Sequence, residues 1–346
     1  MSRRRVTPTR WVVALSAGLV VCGLVVVGLM SSAFATSSTD SGAELLDRAR
    51  DAATRFDFTG EVVVSWRADG RVRQVQVPVR EADGVLRVGK TRKVVGAGAD
   101  RLMGTDGDWK RIWGETGGAG SGVPIVEPDR KYTLVVQAGP RIAGRATTIV
   151  EARRGGRVSE WFAVDDGTGL LLRREQLGDH GRVERSVSFT ELTDPVATKP
   201  APKAKTPRAG GTSPRQIATS PQGSDAMRRL GDGFVLTGRY RGADDSVQRF
   251  YSDGIYAASV FEAPGQLDRR DLPDDATSVD VGGRRVKQYA TSSGTVAVWE
   301  GDDHVYTLVS DAPKRDLDAI IDDLPRESRD DGAEEVTQFV LAPFRW

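Results

Sequence analysis

The stretch Glu61-Val62-Val63-Val64-Ser65-Trp66-Arg67-Ala68-Asp69-Gly70-Arg71-Val72-Arg73-Gln74-Val75-Gln76-Val77-Pro78-Val79 decides the fold. Val62, Val64 and Trp66 alternate with Glu61, Val63 and Ser65, and Val75, Val77 and Val79 alternate again beyond Ala68-Asp69-Gly70. Successive side chains of a strand point to opposite faces, so a period of two on each side of a turn predicts an antiparallel hairpin with one buried face. The punctuation recurs at Asp83-Gly84, Asp106-Gly107, Gly155-Gly156, Gly167-Thr168-Gly169 and 178–181. Segments 85–88, 147–152, 161–164, 170–172 and 183–189 read as the strands between. Short strands at this spacing predict a large antiparallel sheet or an open barrel. Upstream, Ser41-Gly42-Ala43-Glu44 has the form of a capping box, and Leu45, Ala49, Ala52 and Phe56 follow at helical spacing. An amphipathic helix over 41–56 is expected. One stretch breaks the rhythm: Trp109-Lys110-Arg111-Ile112-Trp113 runs into a Gly-rich segment over 117–122, which reads as a long loop carrying aromatics.

From 194 to 224 the pattern stops. Pro195, Pro200, Pro202, Pro207, Pro214 and Pro221 stand among Lys, Ala, Gly, Ser and Thr, the composition of an extended linker. Alternation resumes at 225. Segments 233–240, 247–251, 255–261, 279–281, 286–290, 296–300 and 305–310 read as strands, with Ser252-Asp253-Gly254 as a hairpin turn. Pro313 suits the first position of a helix whose apolar face is Leu317, Ile320, Ile321 and Leu324. The fold class is therefore α+β, mainly antiparallel β, in two patterned parts, 41–193 and 225–325. An acidic segment and an apolar tail follow over 326–346.

The 346 residues include one Cys and two His, too few for a zinc finger, an iron–sulfur cluster or a disulfide framework. Residues 1–40 form a leader. Arg3, Arg4, Arg5 and Arg10 are a basic start, and Trp11 to Met30 is an apolar run about long enough to cross a bilayer. Ala33-Phe34-Ala35 offers a small-x-small cleavage site. Both readings of the leader, a cleaved signal peptide and a retained anchor, place the rest of the chain outside the cytoplasmic membrane, at its periplasmic or extracytoplasmic face. Cys22 is a small hydrophobe within the leader. Charge divides the chain: residues 41–193 carry 25 bases and 22 acids, 194–224 carry 5 and 1, and 225–346 carry 15 and 24. A basic part tied to an acidic one suits a surface that meets a charged partner. Nucleic acid is not that partner, because the chain is exported and lacks an interleaved basic and aromatic cluster.

Catalytic patterns do not assemble. His180 sits in the turn Gly178-Asp179-His180-Gly181, and His304 follows Asp302-Asp303 at a hairpin. Ser121 lies between two glycines, but Ala119 and Val123 stand where a nucleophile elbow needs Gly. The Gly run lacks the Lys-Ser/Thr of a phosphate loop. The reading is a non-enzymatic binding protein without metal or cofactor. Val62, Val64, Trp66, Trp109 and Trp113 are the candidates to line an apolar cavity for a lipid-like ligand; for Val62, Val64 and Trp66 plain core is the favoured alternative.

Gln248-Arg249-Phe250-Tyr251-Ser252-Asp253-Gly254-Ile255-Tyr256, running on through Ser259-Val260-Phe261, resembles the RseB/MucB family of sigma-E regulatory proteins. Gly233-Phe234, Phe58-Thr59-Gly60, Ala143-Gly144-Arg145, the segment from Asp166 to Arg173 and Phe189-Thr190-Glu191-Leu192 fit the same family in order and spacing over nearly all of 41–325. The resemblance implies a LolA/LolB-like open barrel with helices in its mouth for the N-terminal domain, and a smaller sheet with a helix for the C-terminal one. It implies an exported negative regulator that binds the extracytoplasmic segment of a membrane-spanning anti-sigma factor and shields it from proteolysis, with a lipid-like releasing signal. The partner is expected at Arg249, Phe250, Tyr251, Ser252, Asp253 and Tyr256 and at the cleft between the domains. The alternative is a lipid or lipoprotein carrier of the envelope.

Overall fold

The computed structural model describes residues 41–82, 85–89, 93–95, 131–178, 180–197, 215–216, 227–241, 246–267, 272–274, 276–292, 294–301 and 304–324. The leader, Trp109, Trp113, Ser121, most of the linker and the segment 326–346 lie outside the described residues.

The first half opens with helix α1 (Gly42–Arg55). The expected capping box forms: the Glu44 amide donates to Ser41 Oγ at 3.3 Å, and the Ser41 amide donates to Glu44 Oε2 at 2.6 Å. Strands β1 (Phe56–Ala68), β2 (Arg71–Ala82), β3 (Val85–Val88), β4 (Lys93–Val95), β5 (Thr133–Ala138), β6 (Thr147–Arg154), β7 (Arg157–Asp165), β8 (Leu171–Leu177), β9 (Val183–Leu192) and β10 (Val196–Ala197) follow. They form one antiparallel sheet in the order β3-β2-β1-β9-β8-β7-β6-β5, with β4 against β2 and β10 against β1. β3 and β5 do not pair, so the sheet is not closed among the described residues. The opening hairpin sets its register. Val62 faces Val77 and Val64 faces Val75 on one side, and Phe189 and Val187 face the same two residues on the other. These side chains are 0–4% exposed and form, with Trp66, the heart of one core. The alternation seen in the sequence is the alternation of burial along β1.

The second half comprises β11 (Arg215–Gln216), β12 (Arg229–Leu230), β13 (Phe234–Arg241), β14 (Val247–Ser252), β15 (Ala257–Pro264), β16 (Thr277–Val281), β17 (Arg284–Ala290), β18 (Thr295–Gly301), β19 (His304–Ser310) and helix α2 (Lys314–Asp323). Its sheet runs β11-β13-β14-β15-β19-β18-β17-β16, with β12 against β13. Leu317, Ile320 and Ile321 of α2 are buried. The Arg284 guanidinium donates to the carbonyls of Ile321 and Leu324 at the helix end, where the Ile321 carbonyl also accepts the Leu324 amide at 3.3 Å.

The two sheets pack as one compact unit. A single core cluster joins Leu45, Tyr132, Val150 and Phe162 of the first half to Phe234, Tyr256, Trp299 and Ile320 of the second.

The turn between β7 and β8 is held by one carboxylate. Asp165 Oδ2 accepts the Thr168 amide at 3.0 Å and its hydroxyl at 2.5 Å, and Arg145 approaches it at 3.0 Å. Burial opposes the charged form, but Arg145 and Thr168 outweigh it and hold the Asp165 carboxyl below the usual carboxylate range. A depressed folded value contributes stability above the unfolded pKa that is lost as pH falls through the folded one. Asp165→Asn is therefore expected to cost about 1.5–3 kcal/mol at pH 7, the range for hydrogen bonds to charged groups. That cost shrinks toward pH 2.5. Urea unfolding of both proteins at the two pH values checks it, and a pH-independent difference rejects the ionic account.

Candidate functional site

The block that carries the family resemblance folds into β14, the turn after it and the start of β15. Its side chains face inward rather than to solvent. Arg249 and Asp253 are 8% and 1% exposed, and Tyr251, Ser252 and Tyr256 are buried with them. Arg249 pairs with Glu262 on β15. The half-buried Phe250 meets Tyr240 edge-on at 5.5 Å. The Tyr251 hydroxyl donates to the Met227 carbonyl at 3.1 Å. Ser252 Oγ donates to the Tyr256 carbonyl at 3.0 Å and accepts the Gly254 amide at 3.0 Å.

Asp253 is the pivot. Its Oδ1 accepts the amides of Ile255 and Tyr256 at 3.0 and 2.8 Å, which closes the turn. Gly254 has φ +94°, a conformation that L side chains rarely adopt, so Gly suits the position. The other oxygen, Oδ2, accepts Lys131 Nζ at 2.5 Å and the Tyr132 hydroxyl at 2.8 Å, both from the first half. Burial first, then the Asp253 charge, push the Tyr132 phenol up, so it stays a donor.

Tyr256 makes the second tie. Its hydroxyl donates to Glu160 Oε2 on β7 at 2.7 Å, and its ring meets Tyr132 edge-on at 6.2 Å. Glu160 Oε1 accepts Arg174 Nε at 2.6 Å. Arg174 continues into the second half, reaching Asp311 at 3.0 Å and the Ile255 carbonyl at 3.2 Å. Burial raises the Glu160 carboxyl above its ordinary range, although Arg174 and Tyr256 pull it down. For Arg174 burial works against the charge, but Glu160 and Asp311 prevail and the net shift is upward.

A third tie lies at α2. Arg154 donates to Asp316 Oδ1 at 2.6 Å and also pairs with Asp232. The pairs Lys131–Asp253, Lys131–Asp316, Arg154–Asp232, Arg154–Asp316 and Arg174–Asp311 each have the cation in the first half and the anion in the second. The charge asymmetry that suggested a charged partner is thus spent in part between the two halves. Lys131, Arg154, Glu160, Arg174, Asp311 and Asp316 were not singled out by the sequence. Only the opposite charge surplus of the two halves pointed their way.

Val62, Val64 and Trp66 sit in the core of the first sheet, and none lines the cavity of about 580 Å³ beside Gly60 and Pro78 or the one of about 640 Å³ beside Arg157 and Arg185. Trp109 and Trp113 lie outside those residues. His180 is exposed in its turn, and His304 Nε2 lies 3.8 Å from Glu262. No group of three or more His, Cys, Asp or Glu suited to a metal ion occurs among the described residues, and no helix there is long and apolar enough to cross a membrane.

No family model matches the chain, and no curated protein does. Among solved structures, the chain is similar to MucB in complex with MucA(peri), at 20% identity and TM-score 0.42, covering 83% of this chain and 100% of that one. It is similar to the Pseudomonas aeruginosa MucA/MucB complex at 21% identity and TM-score 0.41, covering 83% and 99%. A LolA superfamily protein from Nitrosomonas europaea aligns at 11% identity and TM-score 0.19, covering 78% and 91%. Two of these neighbours carry the name MucB and one the name LolA.

Proposed function

We propose that the protein is an exported, non-enzymatic regulator that binds the extracytoplasmic segment of a membrane-spanning anti-sigma factor and shields it from proteolysis, with a lipid-like molecule as the releasing signal. One observation carries the reading. The block of family resemblance, Gln248 to Tyr256, forms the buried joint between the two sheets through Asp253 and Tyr256. A residue block of this kind sets where one half stands against the other, and a partner that touches both halves reads that placement. Tyr251, Asp253 and Tyr256 are then positioning residues, and the partner meets the surface they organise. A ligand releases the partner only to the extent that it binds the free form better than the complex.

The test is a crosslinked pull-down from membranes with the full-length protein, read by mass spectrometry. Capture of a single-span protein with a cytoplasmic anti-sigma domain is the expected result. Tyr256→Phe keeps the ring and removes the hydroxyl that reaches Glu160, and it is expected to reduce that capture while the protein stays folded by circular dichroism. Co-purified lipid with no such partner rejects the regulator in favour of a carrier. Undiminished capture by folded Tyr256→Phe rejects the joint as the positioning element.

A further inference from the structure

A cleft of about 640 Å³ opens between the halves beside the seam. Arg67 at the end of β1, Arg157 at the start of β7 and Arg185 on β9 line one side; Lys314 and Arg315 at the start of α2 line the other. Among the residues that line the cleft the carboxylate is Glu184, which stands 3.5 Å from Arg67, and Lys314 Nζ pairs with Asp318 Oδ2 at 2.6 Å. Helix α2 opens on Lys314 and Arg315, with the buried Asp316 third in its first turn; Asp322 and Asp323 stand near its end, its last turn holds no base, and Pro313 supplies no side-chain cap. Arg185 donates to the Thr291 carbonyl at 3.3 Å, and its buried Nε has no hydrogen-bond partner. Burial, joined by the like charge of Arg174, pushes the Arg185 guanidinium down to about 10 against the pull of Asp311 and Glu160.

We propose that this cleft binds a phosphoryl group, carried by a small phosphorylated compound or by a phospholipid headgroup, between Arg157 and Arg185 of the first half and Arg315 with the α2 N-terminus of the second. Guanidinium forks match phosphate oxygens two at a time, and a helix N-terminus presents amide donors to an anion. The volume is that of a small-molecule site. A group held here touches both halves, so it favours the arrangement in which they meet. The inference stands apart from the anti-sigma partner: the cleft binds its anion whether or not the pull-down succeeds.

Titration calorimetry on the full-length protein in dodecyl maltoside at fixed ionic strength tests it, with glycerol 3-phosphate, dihexanoyl phosphatidic acid and hexaglutamate as probes. Saturable binding of a phosphate probe is expected, weakened at least tenfold in the Arg157→Gln/Arg315→Gln variant and unchanged in Arg229→Gln, which lies outside the cleft. Arg157 and Arg315 are exposed, so the variant keeps its fold; were it to unfold, either single variant reads the same loss. Tighter binding of the phosphatidic acid identifies a lipid headgroup, and equal binding a free phosphate; both support the site. No saturable binding of either phosphate probe overturns it. So does equal affinity in the folded variant, or preference for hexaglutamate, which makes the cleft a peptide site.

Discussion

Asp253→Ala is expected to destabilise the protein by about 3–5 kcal/mol, the range for removing one partner of a buried charge pair. Both Asp253 oxygens are engaged. Oδ2 takes Lys131 and Tyr132 from the first half, and Oδ1 takes the two amides that shape the Tyr256 turn. The Lys131 side chain is 10% exposed, so its ammonium is left with little water and without Asp253. The second nearby carboxylate, Asp316, stands at 3.8 Å and already serves Arg154. Asp253→Asn keeps an acceptor for the turn but not the charge, and it is expected to recover part of the loss. Guanidinium unfolding of the three proteins orders them wild type, Asn, Ala. An Ala variant within about 0.5 kcal/mol of wild type, an ordinary surface effect, removes Asp253 from the determinants of the joint.

The second large effect belongs to Arg174. Its guanidinium reaches Glu160, Asp311 and the Ile255 carbonyl, and it lies 5.6 and 5.8 Å from the Phe162 and Tyr256 ring centres. Arg174→Gln leaves two buried carboxylates facing each other without their cation, again a loss of about 3–5 kcal/mol near neutral pH. The pH dependence has a definite sign. Burial raises the folded Glu160 above its unfolded value, and losing Arg174 raises it further. A raised folded pKa contributes stability that is complete below the unfolded value, about 4.3, and is lost as pH rises through the folded one. The deficit of Arg174→Gln is therefore smaller at pH 5 than at pH 8. Equal deficits at the two pH values show that the loss is one of packing rather than of an unpaired Glu160.

These two variants also bear on how the halves are joined. Replacing buried ion pairs by apolar side chains is often neutral, so the charged joint is weak evidence for stability as such. Its geometry serves placement. Each tie links one strand or helix of the second half to one of the first, and an incorrect relative position leaves several buried charges without partners.

The sequence by itself determined the local elements. The period of two in Val62–Trp66 and Val75–Val79, the Gly155-Gly156 turn and the Ser41 capping box are short-range signals, each readable within about ten residues. β5 escaped that reading because Leu134-Val135-Val136 shows no alternation, and the two-residue strands β10, β11 and β12 are too short to show any. The block from Gln248 to Tyr256 was legible as a family resemblance, but not as a buried joint. Only the tertiary structure decided that. Lys131 and Asp253 are 122 residues apart, Tyr256 and Glu160 are 96, and Arg154 and Asp316 are 162. No periodicity spans such distances. The sheet order that places β1 between β2 and β9, and the packing of one sheet against the other, bring these charges together. Low-dielectric burial at that meeting then makes each unpaired group costly, and so selects which carboxylate meets which cation.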